Sequence, residues 1–195
     1  ALLLGNPLIS YAIRTAQEVV NLDRIIVCTD DKEIRKISLE CGAETLFWEP
    51  KELAGDSIPD RAYLVYGLRW LEENEEYIPD IVVLLRPTFP LREVEDIEKV
   101  IVKIPGYVAN MLRTISLVDQ HPYWMKILKG DKIKSFIKGK DESAYCQRQL
   151  LPSIYIINGC VDAIRRNIIL NHYFLYGNDV RAIIIPRERS YDIDE

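Results

Sequence analysis

Asp192-Ile193-Asp194, close behind Pro186-Arg187-Glu188-Arg189-Ser190-Tyr191, is the pattern in this 195-residue sequence most open to a chemical reading. It follows an apolar run, Val180 to Ile185, that reads as a buried strand. If the backbone stays extended, alternation points Asp192 and Asp194 to one face. At ~3.3 Å rise per residue their Cα atoms would lie about 7 Å apart. Two carboxylates so placed can share a hard cation, or one can ligate it while the other orients a bound water. The competing reading is a solvated acidic tail, since charged residues are mostly exposed.

A second candidate is Leu84-Leu85-Arg86-Pro87-Thr88-Phe89-Pro90-Leu91-Arg92. Its prolines fix a rigid loop and remove backbone donors, and a guanidinium at Arg86 would clamp a carboxylate or phosphate in bidentate fashion. Equally, Arg86 and Arg92 could simply pair with Glu93, Glu95 or Asp96, a weak surface arrangement. Further on, Arg148-Gln149 offers a charge and an amide, followed by Tyr155 and Asn158-Gly159. A glycine inside an apolar segment suggests a bend where a ligand nears the backbone, although Asn-Gly is also a hairpin turn. The histidines, His121 and His172, read as a turn-shaping residue before Pro122 and a helix-end residue. Neither joins a Ser-His-Asp or Cys-His arrangement.

The elements that must position these residues follow from hydropathy patterning. Asn6 reads as an N-cap with Pro7 at the first helical position, and Leu8 to Val20 keep helical spacing. Arg24 to Thr29 reads as an apolar strand, Asp30-Asp31 opens a helix to Cys41-Gly42, and Glu44 to Trp48 is a short strand. Asp56-Ser57-Ile58-Pro59 opens a long helix. Asp80 to Arg86 is apolar on both faces, as a central parallel strand should be. Glu93 to Ile104 reads as helix and Val108 to Val118 as strand. Tyr123 to Leu128 and Lys132 to Ile137 form a hairpin turning at Lys129-Gly130-Asp131. Alternating strands and helices imply a Rossmann-like, three-layer α/β fold with a mostly parallel sheet. Ligands of such sheets sit beyond the carboxyl ends of the strands, which is where Thr29-Asp30 and Arg86-Pro87-Thr88 fall.

Composition narrows the function classes. Hydrophobic residues make up 48% and charged residues 28% of the chain, ordinary for a globular protein. A net charge of −5 with no basic run gives nucleic acid no electrostatic support. The four cysteines, Cys28, Cys41, Cys146 and Cys160, form no C-x-x-C pair, which argues against structural zinc. Cys28 reads as a reduced core thiol. No signal-peptide pattern and no apolar run of membrane-spanning length appears, so the cytoplasm is the expected compartment.

Taken together and in order, seven segments resemble the acylneuraminate cytidylyltransferases, the CMP-sialic acid synthetase family. Its G-x-P-L-I-x-Y-x-I corresponds to Gly5 to Ile13, its S-T-D to Cys28-Thr29-Asp30, and its L-A-x-D to Leu53-Ala54-Gly55-Asp56. Q-P-T-S-P-L-R corresponds to Arg86 to Arg92, and H-P-Y-W to His121 to Trp124. R-Q-x-x-P-x-x-Y-x-x-N-G corresponds to Arg148 to Gly159, and R-S-x-D-I-D to Arg189 to Asp194.

The resemblance implies a nucleotide-diphosphosugar-transferase type of fold in a single domain over 1–195. Residues 119–150 would form a hairpin insertion serving as a homodimerisation arm. It implies transfer of CMP from CTP to a nonulosonic sugar acid with Mg²⁺ and release of pyrophosphate. Asp192 and Asp194 match the family's metal-binding aspartates, and Arg148 an arginine implicated in catalysis. Arg86, Thr88, Gln149, Tyr155 and Asn158 are the implied substrate contacts; Thr29, Asp30 and Asp56 are the implied nucleotide contacts. A cytidylyltransferase for another sugar acid, such as a 3-deoxy-octulosonate, and a catalytically silent sugar-acid-binding relative are the alternatives.

The chain departs from the family at several places. The family's opening strand and its loop P-A-R-G-G-S-K-G-x-x-x-K-N have no counterpart before Ala1-Leu2-Leu3-Leu4. Omission of that segment is the expectation, because a sheet without its first strand exposes neighbouring edges. Glu49 replaces a common arginine, Asp60 a common serine near the base, and Arg86 a glutamine.

Overall fold

The computed structural model describes residues 1–53, 55, 57–106, 109–140, 147, 149 and 151–193. In chain order the elements are β1 (Leu2–Leu3), β2 (Asn6–Pro7), α1 (Leu8–Gln17), α2 (Lys32–Glu40), α3 (Asp60–Glu75) and β3 (Ile81–Leu84). They continue with α4 (Val94–Lys103), β4 (Met111–Leu117), β5 (Lys126–Lys129), β6 (Lys132–Ser135), β7 (Tyr155–Arg165), α5 (Arg166–Asn171) and β8 (Val180–Ile184).

The main sheet has the order β3-β7-β4-β8. It is mixed: β7 runs antiparallel to both β3 and β4, while β4 and β8 are parallel. Side chains alternate across it. Leu112, Val161 and Ala163 join Ile97, Val100 and Ile104 of α4 in one core, whereas Met111 and Ile164 join Leu68 of α3 and Ile168 and Ile169 of α5 in another. The result is the expected three-layer α/β arrangement.

Local sequence explains most boundaries. Asp31 caps α2, accepting from the amides of Glu33 and Ile34 at 2.7 and 2.8 Å, and Gly42, at φ +85°, ends it. In α4, the Asp96 carboxylate accepts from the Glu93 amide at 3.1 Å, one half of a capping box.

Several boundaries differ from the sequence reading. Asn6 does not cap α1; Asn6 and Pro7 pair with Leu2 and Leu3, and Pro7 takes the cap position. The long helix opens at Asp60 with Pro59 as its cap. The apolar segments at 24–29 and 44–48 pair only through an isolated parallel bridge, Ile26 with Glu44. Their hydrogen bonds, Val27 to the Glu44 carbonyl and Glu44 to the Ile25 carbonyl, serve one side of the 25–27 backbone. The same residues line a cavity of about 620 Å³ that also touches Ile81 to Leu85. β3, expected at the centre of the sheet, accordingly stands at one end of the four-stranded order.

The hairpin forms with narrower bounds than read: Pro122–Trp124 make a 3-10 turn, and Lys129, expected in the turn, pairs with Lys132 across Gly130-Asp131, with Gly130 at φ +63°. It presents Leu128, Ile133 and Phe136 to solvent. Among the described residues, no helix is long and apolar enough to cross a membrane.

Candidate functional site

β3 delivers Arg86 to its carboxyl end, and four charged groups converge there. Arg86 Nη1 donates to Asp162 Oδ2 at 2.9 Å and to the Gly159 carbonyl at 3.3 Å, while Nη2 donates to Asp60 Oδ2 at 2.5 Å. Asp162 lies on β7 opposite both Leu84 of β3 and Arg113 of β4, and its side chain is 0% exposed. Arg113 closes the network with a bidentate pair to Asp162 at 2.9 and 3.1 Å. The Arg113 guanidinium stacks 4.3 Å from the centroid of Tyr176. A carboxylate this deep is tolerable only when its oxygens are paired, and here every one of these bonds is charge-assisted.

The partners proposed from sequence for Arg86 and Arg92 are therefore wrong. Arg92, itself buried, donates to the Cys160 carbonyl and to the Arg86 carbonyl, both at 2.7 Å. It locks the 86–92 loop against β7. Glu93 and Asp96 are instead taken by Arg189, which reaches Asp96 at 3.1 Å, while Glu95 pairs with Lys99 at 2.6 Å and meets Arg189 only at 3.6 Å. Burial of the Asp96 carboxyl raises its pKa, and Arg189 offsets part of that cost.

Asn158-Gly159 is a bulge and not a hairpin turn. Between Arg113↔Asp162 and Ile115↔Ile157 the ladder shifts register, and Gly159 takes φ +69°, the left-handed conformation such a bulge favours. The group approaching that backbone is Arg86 itself: a Cβ on Gly159 would lie 3.3 Å from its Nη1.

Asn158 is fully used inside the protein. Its Oδ1 accepts from Thr114 Oγ1 at 2.7 Å and from the Cys160 amide at 3.1 Å, and its Nδ2 donates to Ser116 Oγ at 2.6 Å. Ser116 Oγ in turn donates to Ser190 Oγ at 2.7 Å. The C-terminal segment is thus tethered at Arg189, at Ser190, and through the Ile193 amide, which donates to the Thr88 carbonyl at 2.8 Å. These tethers bring exposed Asp192 alongside the loop that carries Arg86. The strand does not run on into this segment, however: β8 ends at Ile184, Pro186 follows, and Arg187–Arg189 make a 3-10 turn. Asp194 lies outside the described residues, as do Arg148 and Asp56.

Other predicted contacts make no bond to this cluster. Thr29 is buried and its Oγ1 accepts from the Asp31 amide at 3.1 Å, a turn at the start of α2. Asp30 is exposed beside it. The neighbouring Glu49 carboxyl has its pKa raised, by burial first and then by the Asp30 charge. Gln149 and Tyr155 are exposed. His121 accepts from the Tyr123 amide at 3.2 Å and shapes its turn as expected, and His172 ends α5.

Sequence reading missed Arg113, Asp162 and Tyr176 altogether, and noted Asp60 and Arg189 without the ion pairs they make. A signal was present for two of them. Arg113 and Asp162 interrupt otherwise apolar strands, Met111 to Leu117 and Cys160 to Ile164, and charges in such positions require partners.

Cys28 ends the segment leading to Thr29, and burial pushes its thiol up to about 12. Since the thiolate is the reactive form, alkylation of the native protein at pH 8 should label Cys28 far more slowly than Cys41, by peptide mass mapping. Labelling at equal rates would contradict an inert, half-buried thiol.

Among the described residues, no group of three or more His, Cys, Asp or Glu side chains could hold a metal ion. Asp192 nevertheless presents an exposed carboxylate oxygen donor of the type hard cations prefer.

Comparison with known proteins places this geometry. A family model described as cytidylyltransferase matches residues 1–178. The CMP-N,N'-diacetyllegionaminic acid synthase of Legionella pneumophila is 26% identical, over 99% of this chain and 82% of its own. The pseudaminic acid cytidylyltransferase of Campylobacter jejuni is 25% identical, over 98% of this chain and 81% of its own. Among solved structures, CMP:2-keto-3-deoxy-manno-octonic acid synthetase complexed with CTP superimposes with a TM-score of 0.66 at 14% identity, over 95% of this chain and 82% of that one.

Proposed function

The chain belongs to the cytidylyltransferase family, and from that premise we propose that it joins CMP from CTP to a nonulosonic, sialic-acid-like sugar acid and releases pyrophosphate. The observation that carries this reading is the juxtaposition, at the end of β3, of Arg86 on its buried Asp162 anchor with the tethered segment bearing Asp192. Relatives named for legionaminic and pseudaminic acid support the choice of sugar class.

In the proposed reaction the sugar's anomeric hydroxyl attacks the α-phosphorus of CTP while pyrophosphate departs in line. Arg86 would receive the sugar acid's carboxylate, a geometry its planar fork suits. Thr88, Gln149, Tyr155 and Asn158 complete the proposed sugar-acid side; Thr29, Asp30 and Asp56 complete the nucleotide side. Of these, Asn158 and Thr29 would contribute by holding backbone and tail in place, since their side chains are engaged internally. Arg148 would stabilise charge developing on the phosphoryl oxygens. Asp192 and Asp194 are the residues that would hold Mg²⁺, which when bound neutralises phosphate charge and favours deprotonation of a nearby hydroxyl.

A cytoplasmic homodimer is the proposed working form, supported by the exposed apolar residues of the β5–β6 hairpin. The experiment is pyrophosphate release measured with each of the four nucleoside triphosphates against N-acetylneuraminate, legionaminate, pseudaminate and 3-deoxy-octulosonate. Turnover is expected with CTP and one of the nonulosonates. Strict dependence on another triphosphate overturns the cytidylyl assignment, and turnover confined to the octulosonate overturns the nine-carbon assignment.

A further inference from the structure

Asp60 and Arg86 are both departures from the residues expected at their positions, and the structure puts them in contact with each other. The two arms of Arg86 meet different environments. Its inner arm is held by Asp162, which is 0% exposed and braced from behind by Arg113. Its outer arm is held by Asp60, whose side chain is 32% exposed. Breaking the inner contact would strand a buried charge, which is strongly unfavourable. Breaking the outer one exchanges an ion pair for water, and pairs of that kind are worth little.

The charges make the same point. Arg86 and Arg113 balance Asp60 and Asp162, so the cluster sums to zero. A carboxylate arriving at Arg86 adds a negative charge within contact distance of Asp60 unless Asp60 gives up its place. Asp60 has somewhere to go. It is the first residue of α3, where free backbone amides and the helix dipole favour a carboxylate. The phenol of Tyr63 lies near it, and its pKa is raised by burial first and then by the Asp60 charge.

We propose that Asp60 is an internal stand-in for the carboxylate of the substrate, occupying the outer arm of Arg86 in the free protein and yielding it when the sugar acid binds. Asp60 is then a specificity-determining residue that acts through Arg86. It sets a threshold that a neutral sugar cannot pass, because only an anion replaces the interaction that Arg86 gives up. The inference rests on the sugar-acid reading above.

The test combines turnover with calorimetric binding of N-acetylneuraminate, legionaminate, pseudaminate and 3-deoxy-octulosonate, the latter measured without CTP, on wild type, Asp60→Asn, Asp60→Glu and Arg86→Gln. Asp60→Asn should bind the accepted acid up to about fivefold more tightly, the upper end of what a surface pair is worth. It should lower the KM for that acid by the same factor, and Asp60→Glu should restore the wild-type values. Arg86→Gln should weaken binding. Unchanged or weaker binding by Asp60→Asn, in a protein that turns over normally, overturns the exchange and leaves the cytidylyl reading standing. Tighter binding without turnover under any triphosphate overturns the cytidylyl reading and leaves the exchange standing. No binding of any acid to wild type or Asp60→Asn overturns both.

Discussion

Asp162→Ala is expected to destabilise the protein by about 3–5 kcal/mol, the cost of removing one partner from a buried ion pair. Asp162 accepts three hydrogen bonds, two from Arg113 and one from Arg86. Its removal leaves two guanidinium groups facing each other, one of them 11% exposed. The carboxylate also sits where β3, β7 and β4 meet, so the penalty falls on the register of all three strands. Asp162→Asn should fall between wild type and Asp162→Ala, because an amide keeps the shape and one acceptor but loses the charge. Urea unfolding followed by circular dichroism reads the difference directly. A cost below about 1 kcal/mol for Asp162→Ala, the level of a surface pair, would mean that the network is wet and contributes little.

The largest effect on activity is expected at the C-terminal acids. Asp192→Asn or Asp194→Asn should reduce kcat at least about a hundredfold, since charge neutralisation at a transferring phosphoryl group is worth several kcal/mol and each 1.36 kcal/mol is a factor of ten. Stability should be unaffected, because Asp192 is exposed. The measurements are pyrophosphate release with the accepted sugar acid and the urea midpoint of the same samples. Activity within a few-fold of wild type would remove both acids from the proposed site. Arg189→Ala offers a contrast: it frees the segment from Glu93 and Asp96, so activity should fall by loss of positioning while the acids themselves remain.

The site was partly legible before folding was known. Arg86 stood out because prolines fix the loop after an apolar strand, and the paired acids stood out by spacing. The identity of the partners was not legible. Glu93 and Asp96 are near neighbours of Arg92 in sequence, yet they serve Arg189, which is more than ninety residues away. Sequence proximity favours local pairs, whereas on β7 the Gly159 and Cys160 carbonyls accept from both loop arginines. The parallel pairing expected of 80–86 failed for a related reason. An apolar run shows that a strand is buried but does not specify the direction of its neighbour, which here is the antiparallel β7.

Several features were determined by the sequence alone: the alternation of helices and strands, the helix start at Asp31, the turn at Gly130-Asp131, and the family to which the order of motifs points. These rest on local rules, namely periodicity, capping and turn chemistry, which act within a few residues. Only the tertiary structure decided that Arg86 is held between a buried and a half-buried carboxylate, that Asn158 is a brace, and that the C-terminal acid Asp192 is tied beside Thr88. Each of those depends on side chains from strands and loops distant in sequence, and burial sets their strength by removing the water that would otherwise compete for every charge.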